Sequence, residues 1–95
     1  MAAYVVAEVE ITDPTVYGEY QRRVTAVNAK YGGRFIVRGE NIHLLDGPPP
    51  PKRMAIVEFP TMERALEWYR SKEYAELIEI RQRASRGRFV LVEGV

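Results

Sequence analysis

Glu10, Glu58 and His43 are the residues whose chemistry is best suited to proton transfer. Each glutamate follows a valine, in the words Val-Glu-Ile and Val-Glu-Phe. Two carboxylates that face one another repel, which raises one carboxyl pKa and suits a general base. His43 is the single histidine, and an imidazole titrates near neutral pH, so it could shuttle a proton. The competing interpretation places the glutamates in ion pairs at the rim of an interface and leaves the histidine exposed.

Four further side chains could bind a substrate. Arg38 or Arg81 could hold an anionic group, because a guanidinium donates parallel hydrogen bonds to an oxyanion. Trp68 and Tyr69 could line a pocket where the helical pattern is interrupted. The alternative is structural: aromatic residues at helical spacing commonly pack in the core, and Arg81 could reach a carboxylate such as that of Glu58 or a helix end.

Composition limits the class of protein. The chain has 95 residues, 46% hydrophobic and 28% charged, as expected for one globular domain over residues 1–95. Its net charge of +1 attracts neither nucleic acid nor an anionic membrane strongly. The absence of cysteine excludes disulfides and thiolate chemistry, and one histidine is too few for a typical transition-metal site. We therefore expect no metal, no cofactor, no nucleic-acid partner and no membrane association, in a cytoplasmic protein without a signal peptide.

The first half of the chain predicts strand, helix and strand. Apolar and polar residues alternate in each strand, and apolar residues recur at steps of three and four in the helix. Asp13-Pro14 is typical of a helix start, because aspartate caps the first turn and proline fits its first position. The expected bounds are 4–11 for the first strand, about 14–31 for the helix and 34–38 for the second strand.

The second half repeats this order after a rigid loop. Four consecutive prolines, at 48–51, cannot join a strand ladder, whereas residues 42–45 could form a short strand before them. A strand is expected over 53–59 and a last strand over 88–92. Between them Thr61 caps a helical segment that continues to about residue 84 and could restart at Ser71.

The two halves also share sequence. Val9-Glu10-Ile11 resembles Val57-Glu58-Phe59, and Gly33-Arg34-Phe35-Ile36-Val37 resembles Gly87-Arg88-Phe89-Val90-Leu91. The simplest interpretation is a βαβ unit used twice, which predicts a βαββαβ chain with one antiparallel sheet and helices on one of its faces. If the first and third strands are central, Glu10 and Glu58 are expected to lie near one another.

The face of the sheet that the helices leave open is expected to form an interface. Its predicted apolar residues are Tyr4, Val6, Ile36, Met54, Ile56, Val90 and Val92. Its predicted charged residues are Glu8, Glu10, Glu58, Arg34, Arg38 and Arg88. So large an apolar stripe is unfavourable in water, which favours a homodimer packed sheet to sheet over a monomer covered by its own loops.

Several short sequence segments, spread over nearly the whole chain, resemble the bacterial family catalogued as domain of unknown function 1330. They are residues 4–14 (YVVAEVEITDP), residues 31–39 (YGGRFIVRG), Glu58-Phe59-Pro60, Ala65, Trp68-Tyr69, Ser71, Tyr74 and Arg81. The resemblance implies an α+β, ferredoxin-like monomer that pairs as a dimeric α+β barrel. It implies no mechanism, since that superfamily includes cofactor-free monooxygenases, lactone isomerases, haem-binding members and proteins without known catalysis.

Two functions remain open at this point. The first is a homodimer that binds a small organic acid or aromatic compound in a cavity and carries out cofactor-free proton transfer, isomerisation or oxygenation. In that case Glu10 or Glu58 would act as the base, with His43 in reserve, and the arginines and aromatic residues above would bind the substrate. The second is a structural or accessory dimer without chemistry.

Overall fold

The computed structural model describes residues 1–95 as strands and helices in the order βαββααβ. The elements are β1 (Ala3–Ile11), α1 (Pro14–Lys30), β2 (Arg34–Gly39), β3 (Arg53–Phe59), α2 (Met62–Tyr69), α3 (Lys72–Ala84) and β4 (Ser85–Glu93). This is the predicted βαββαβ order, with the second helical segment divided in two. No strand forms over residues 42–45, which lie in the long connection between β2 and β3.

The strands form one antiparallel sheet in the order β2-β3-β1-β4. Burial alternates along β1, where Val5 and Val9 are buried and Val6 and Glu8 are not. The buried face packs under the helices in one core, whose largest enclosed side chains include Trp68. Each such large apolar side chain contributes roughly 1.5–3 kcal/mol to stability. The α+β, ferredoxin-like fold predicted from the sequence is confirmed.

A single serine divides the second helical segment. The hydroxyl group of Ser71 donates to the backbone carbonyl of Trp68 at 2.7 Å and accepts from the backbone N–H of Tyr74 at 3.1 Å. It therefore ends α2 and caps α3, as its position in the sequence indicated. This break brings the Trp68 and Tyr74 rings together, with centroids 4.0 Å apart.

A β-bulge interrupts β2 at Ile36. Phe35 lies opposite Val57, but Val37 lies opposite Ile56, so two steps along β2 match one step along β3. Because side chains alternate between faces, one extra residue reverses the face of every residue that follows it. Val37 therefore lies on the face that the helices leave open, which we call the outer face.

The bulge corrects one prediction. Arg38 was expected on the outer face, but it lies opposite Ala55 on the face covered by the helices. Its guanidinium carbon is 4.6 Å from the centre of the Phe35 ring, which it covers. A period-two pattern cannot reveal this change, because the bulge is a feature of strand pairing.

The longest connection of the fold joins β2 to β3. Residues 40–52 form no regular element and contain the four consecutive prolines. None of the three helices has the length and apolar character that a membrane crossing requires. The sheet and its helices therefore provide the surfaces on which a site could be built.

Candidate functional site

Three cavities share the ring of Phe89 as a wall between the sheet and the helices. The inner cavity, about 30 Å³, also includes Asn28, Arg38 and Trp68 in its lining. The apolar cavity, about 240 Å³, adjoins Ala65, Trp68 and Tyr69. The arginine cavity, about 220 Å³, adjoins Tyr69, Arg81 and Ser85. Trp68 is thus shared by the first two cavities, and Tyr69 by the last two.

The apolar cavity is lined by hydrophobic residues alone. They are Val5, Ala65, Leu66, Trp68, Tyr69, Phe89, Val90 and Leu91. Ala65 stands one helical turn before Trp68 and Tyr69 on α2, so these three lining residues lie near one another on that helix. The cavity opens at the surface beside the partly exposed Tyr69 and Val90, and its wholly apolar lining suits an apolar ligand.

Trp68 lines both the inner and the apolar cavity, and its side chain has a polar atom without a hydrogen-bond partner. The residue is 2% exposed, and its indole Nε1 has no hydrogen-bond acceptor. An indole N–H usually finds an acceptor when it is buried, because leaving it unpaired is unfavourable. An oxygen atom of a ligand would supply that acceptor.

Arg81 is a buried cation without a carboxylate. It is 7% exposed and takes part in none of the ion pairs of the structure. Its guanidinium carbon lies 3.7 Å from the centre of the Phe89 ring, and its Nε has no acceptor. The expectation that it reaches Glu58 is wrong, because Glu58 accepts hydrogen bonds from Arg34 and Tyr4 instead.

The inner cavity has polar walls at one end. Asn28 is 1% exposed, and neither its side-chain nitrogen nor its side-chain oxygen has a partner. Arg38, Arg53 and Tyr17 also contribute to this lining. Burial raises the pKa of the Tyr17 hydroxyl, and the positive charge of Arg53 offsets part of the rise. A volume of 30 Å³ is about that of one water molecule, so an organic ligand does not fit unless side chains move.

The structure separates the predicted acid–base residues from these cavities. Glu10 and Glu58 are on the outer face, paired with Arg86 at 3.2 Å and Arg34 at 2.9 Å. His43 is exposed in the connection between β2 and β3, where its Nε2 lies 3.0 Å from the side-chain oxygen of a neighbouring asparagine. The predicted binding residues Trp68, Tyr69 and Arg81 do lie on neighbouring cavities, and Arg38 lies on the inner one.

The expected proximity of Glu10 and Glu58 is wrong. Glu58 lies opposite Tyr4 at the beginning of β1, whereas Glu10 is six residues further along that strand. At about 3.3 Å per residue the two positions are roughly 20 Å apart. The strands are adjacent as predicted, but their antiparallel direction brings the end of one beside the start of the other.

Asn28 and Phe89 were not selected as site residues from the sequence. Asn28 continues the buried stripe of α1 formed by Tyr17, Tyr20 and Val24, so helical spacing could have identified it as a polar residue on a buried face. Phe89 lies opposite the buried Ala7 on the core-facing side of β4, and nothing in the sequence distinguishes a packed phenylalanine from one that separates cavities.

Solved structures share this fold along the whole chain. RPA0582, a protein of unknown function from Rhodopseudomonas palustris, has a TM-score of 0.80 at 20% identity, covering 99% of this chain and 82% of that chain. SnoaB, a cofactor-independent oxygenase from Streptomyces nogalater, has a TM-score of 0.70 at 12% identity, covering 99% and 93%. An antibiotic biosynthesis monooxygenase has a TM-score of 0.61 at 13% identity, covering 100% and 99%. At these identities the likeness establishes the fold alone.

Family membership follows from the sequence match. No curated protein matches the chain. A family model matches residues 2–95, all but the first residue of the chain. This match agrees with the resemblance of the short sequence segments to the same family. The chain therefore belongs to the family described as domain of unknown function DUF1330.

Proposed function

We propose that this protein is a homodimer that binds a small aromatic compound in the apolar cavity and oxidises it with dioxygen without a cofactor. The observation that carries the proposal is the wholly hydrophobic cavity, one of whose lining residues, Trp68, has a buried indole N–H without an acceptor. An aromatic ring would fill the cavity, and a ring oxygen would accept the hydrogen bond. SnoaB, which shares the fold, is a cofactor-independent oxygenase, and this supports the choice of reaction.

The reaction proposed is one that an electron-rich substrate can perform with dioxygen. A CH₂ group flanked by two aromatic rings becomes a carbonyl, one oxygen atom enters the product, and the other leaves as water with both hydrogens. The substrate supplies all the electrons. The protein contributes orientation, a dry apolar surrounding and the indole N–H as a donor to the oxygen that gains negative charge.

The outer face supports the homodimer. Its exposed apolar residues include Val37 at 43%, Val90 at 44% and Val92 at 51% exposure. A groove of about 830 Å³ lies between the proline-rich connection and the charged residues of the same face, which are Glu8, Glu10, Arg86 and Arg88. Pairing two sheets across a standard interface would bury about 800 Å² per partner, enough for a stable dimer of this size.

A second function, an accessory dimer without chemistry, is supported by the charged residues of the outer face. Three cross-strand ion pairs occupy its glutamates: Glu8 with Arg88, Glu10 with Arg86 and Glu58 with Arg34. Such pairs would fix the register of two sheets without acting on a substrate. The two functions differ in whether the apolar cavity binds a ligand.

Trp68 provides the measurement, because it is the single tryptophan and lies in the cavity wall. Titration with anthrone, a neutral three-ring compound with a CH₂ between two rings, is expected to quench its fluorescence saturably. Ala65→Leu fills the cavity and should abolish the quenching. Ala75→Leu, at an exposed position of α3, is the matched control and should leave it unchanged.

The reaction itself is tested with isotopically labelled dioxygen. Mass spectrometry of the product is expected to show one labelled oxygen atom, formed faster with the wild-type protein than with buffer or with Ala65→Leu. Saturable binding without any acceleration would favour the accessory role. Absence of binding would overturn the assignment of the apolar cavity.

A further inference from the structure

Arg81 is the one charge of the arginine cavity that has no opposite charge. The cavity also adjoins Glu8 and Arg86, but Glu8 pairs with Arg88 at 3.0 Å and Arg86 with Glu10 at 3.2 Å. Arg81 is more than nine-tenths buried and lies against the face of the Phe89 ring. Its positive charge also offsets part of the rise in pKa that burial causes at Tyr17, Tyr20 and Tyr74. A buried guanidinium is normally paired with a carboxylate or with several acceptors.

The end of α3 does not supply those acceptors. The carbonyl oxygen of Ala84 accepts the backbone N–H groups of Thr12 and Asp13, at 2.8 and 3.0 Å. The carbonyl oxygen of Arg81 itself accepts the hydroxyl of Ser85 at 2.7 Å. Both carbonyls are therefore occupied, and the side chain of Arg81 remains without a partner of its own beside the cavity.

The arginine cavity is continuous in its lining with the apolar cavity. Tyr69 and Phe89 belong to both. Tyr69 is 43% exposed, and the rest of its ring packs against Trp68 and Tyr74, with centroids 6.0 and 5.9 Å away. A ligand with its rings in the apolar cavity would have a substituent close to the guanidinium once this ring shifts.

We propose that the ligand is an aromatic carboxylic acid, and that Arg81 binds its carboxylate in the arginine cavity. This inference rests on the proposed function and specifies its substrate class. The planar guanidinium matches a carboxylate with two parallel hydrogen bonds, and the burial of Arg81 strengthens the attraction. At about 220 Å³ the cavity is smaller than the roughly 300–1,000 Å³ of drug-sized sites, so it accepts a small head group.

Two ligands of nearly equal shape test whether the negative charge of a carboxylate strengthens binding. 2-Naphthoate carries a carboxylate, and 2-naphthamide replaces it with a neutral amide of similar size. Binding of each at pH 7 is followed by Trp68 fluorescence. The wild-type protein is expected to bind the acid at least tenfold more tightly than the amide.

Substitution then assigns the preference to one residue. Arg81→Gln is expected to weaken the acid at least tenfold and to change the amide less than twofold, while Arg81→Lys retains part of the preference. Arg83→Gln is the control, because Arg83 is an exposed arginine of the same helix and lies outside the lining of the arginine cavity. It should leave both affinities unchanged.

Each outcome decides between the two proposals. If acid and amide bind equally, or if Arg81→Gln changes only the melting temperature, the carboxylate inference is overturned while the apolar cavity remains a ligand site. If neither compound binds the wild-type protein, the carboxylate inference is also overturned, and the titration with anthrone decides separately whether the apolar cavity is a ligand site. The comparison of acid with amide needs no variant, so it remains decisive even if Arg81→Gln does not fold.

Discussion

The hydroxyl groups of Tyr20 and Tyr74 lie 2.8 Å apart in the buried layer between α1 and α3. Either can donate to the other, and their rings meet edge to face with centroids 6.4 Å apart. Burial raises the pKa of Tyr74 to about 12 and raises that of Tyr20 well above its ordinary value. Burial therefore keeps both hydroxyl groups neutral at pH values where an exposed tyrosine ionises.

This pair predicts a loss of stability in alkali. An unfolded tyrosine ionises near pH 10, but the buried ones resist ionisation, so the unfolded chain loses its protons first. Their contribution is complete below about pH 10 and declines as the pH rises towards 12. A shift of about two pKa units at Tyr74 corresponds to roughly 3 kcal/mol.

Denaturant unfolding between pH 9 and 12 measures this decline. The double variant Tyr20→Phe/Tyr74→Phe is expected to show a shallower dependence than the wild type, because it removes both ionising groups. Tyr69→Phe, at a ring that is 43% exposed, serves as the control and should keep the wild-type slope. Equal slopes in all three proteins would contradict the role of the buried pair.

Gly87 permits the close approach of β4 to β1. Its φ is +143°, and a Cβ atom there would lie 1.9 Å from the carbonyl oxygen of Glu8. Gly87→Ala is therefore expected to lower the free energy of unfolding by more than about 3 kcal/mol. Gly39→Ala is the comparison, since a Cβ at Gly39 meets nothing within 4 Å, and it should change stability by less than about 1 kcal/mol. Similar unfolding curves for the two variants would refute this account.

Asn28 predicts that a buried polar side chain lowers the stability of this protein. Its unpaired amide is unfavourable in a buried position, so Asn28→Leu, which has nearly the same shape, should raise the free energy of unfolding by about 1 kcal/mol. Asn28→Ala leaves a cavity and should lower it by about 1–3 kcal/mol. Thermal and denaturant unfolding check both values; a lower stability for Asn28→Leu would mean that the amide has partners in solution.

The outer face predicts how the proposed dimer can be broken. Val90→Glu places a charge on a side chain that is 44% exposed in the single chain, so the subunit should still fold. In a sheet-to-sheet dimer the same charge would be buried without a partner, and native mass spectrometry should then show a monomer. Leu45→Glu, at 93% exposure in the connection between β2 and β3, should remain dimeric. A wild-type protein that is already monomeric would end the proposal.

The sequence by itself determined the elements and their caps. Period-two alternation placed the strands, and Asp13, Thr61 and Ser71 marked three helix starts that the structure confirms. These signals are local, because each depends on residues within one or two turns of the chain. The apolar character of the outer face was also predictable, since it follows from the same alternation.

The tertiary structure decided which side chains meet. Arg38 changed face because of a bulge in strand pairing, and Glu10 and Glu58 were separated by the direction of the strands. Arg81 proved to be buried without a carboxylate. Such relationships depend on register and packing between segments far apart in the chain, which are set by the whole fold and leave no trace in the spacing of neighbouring residues.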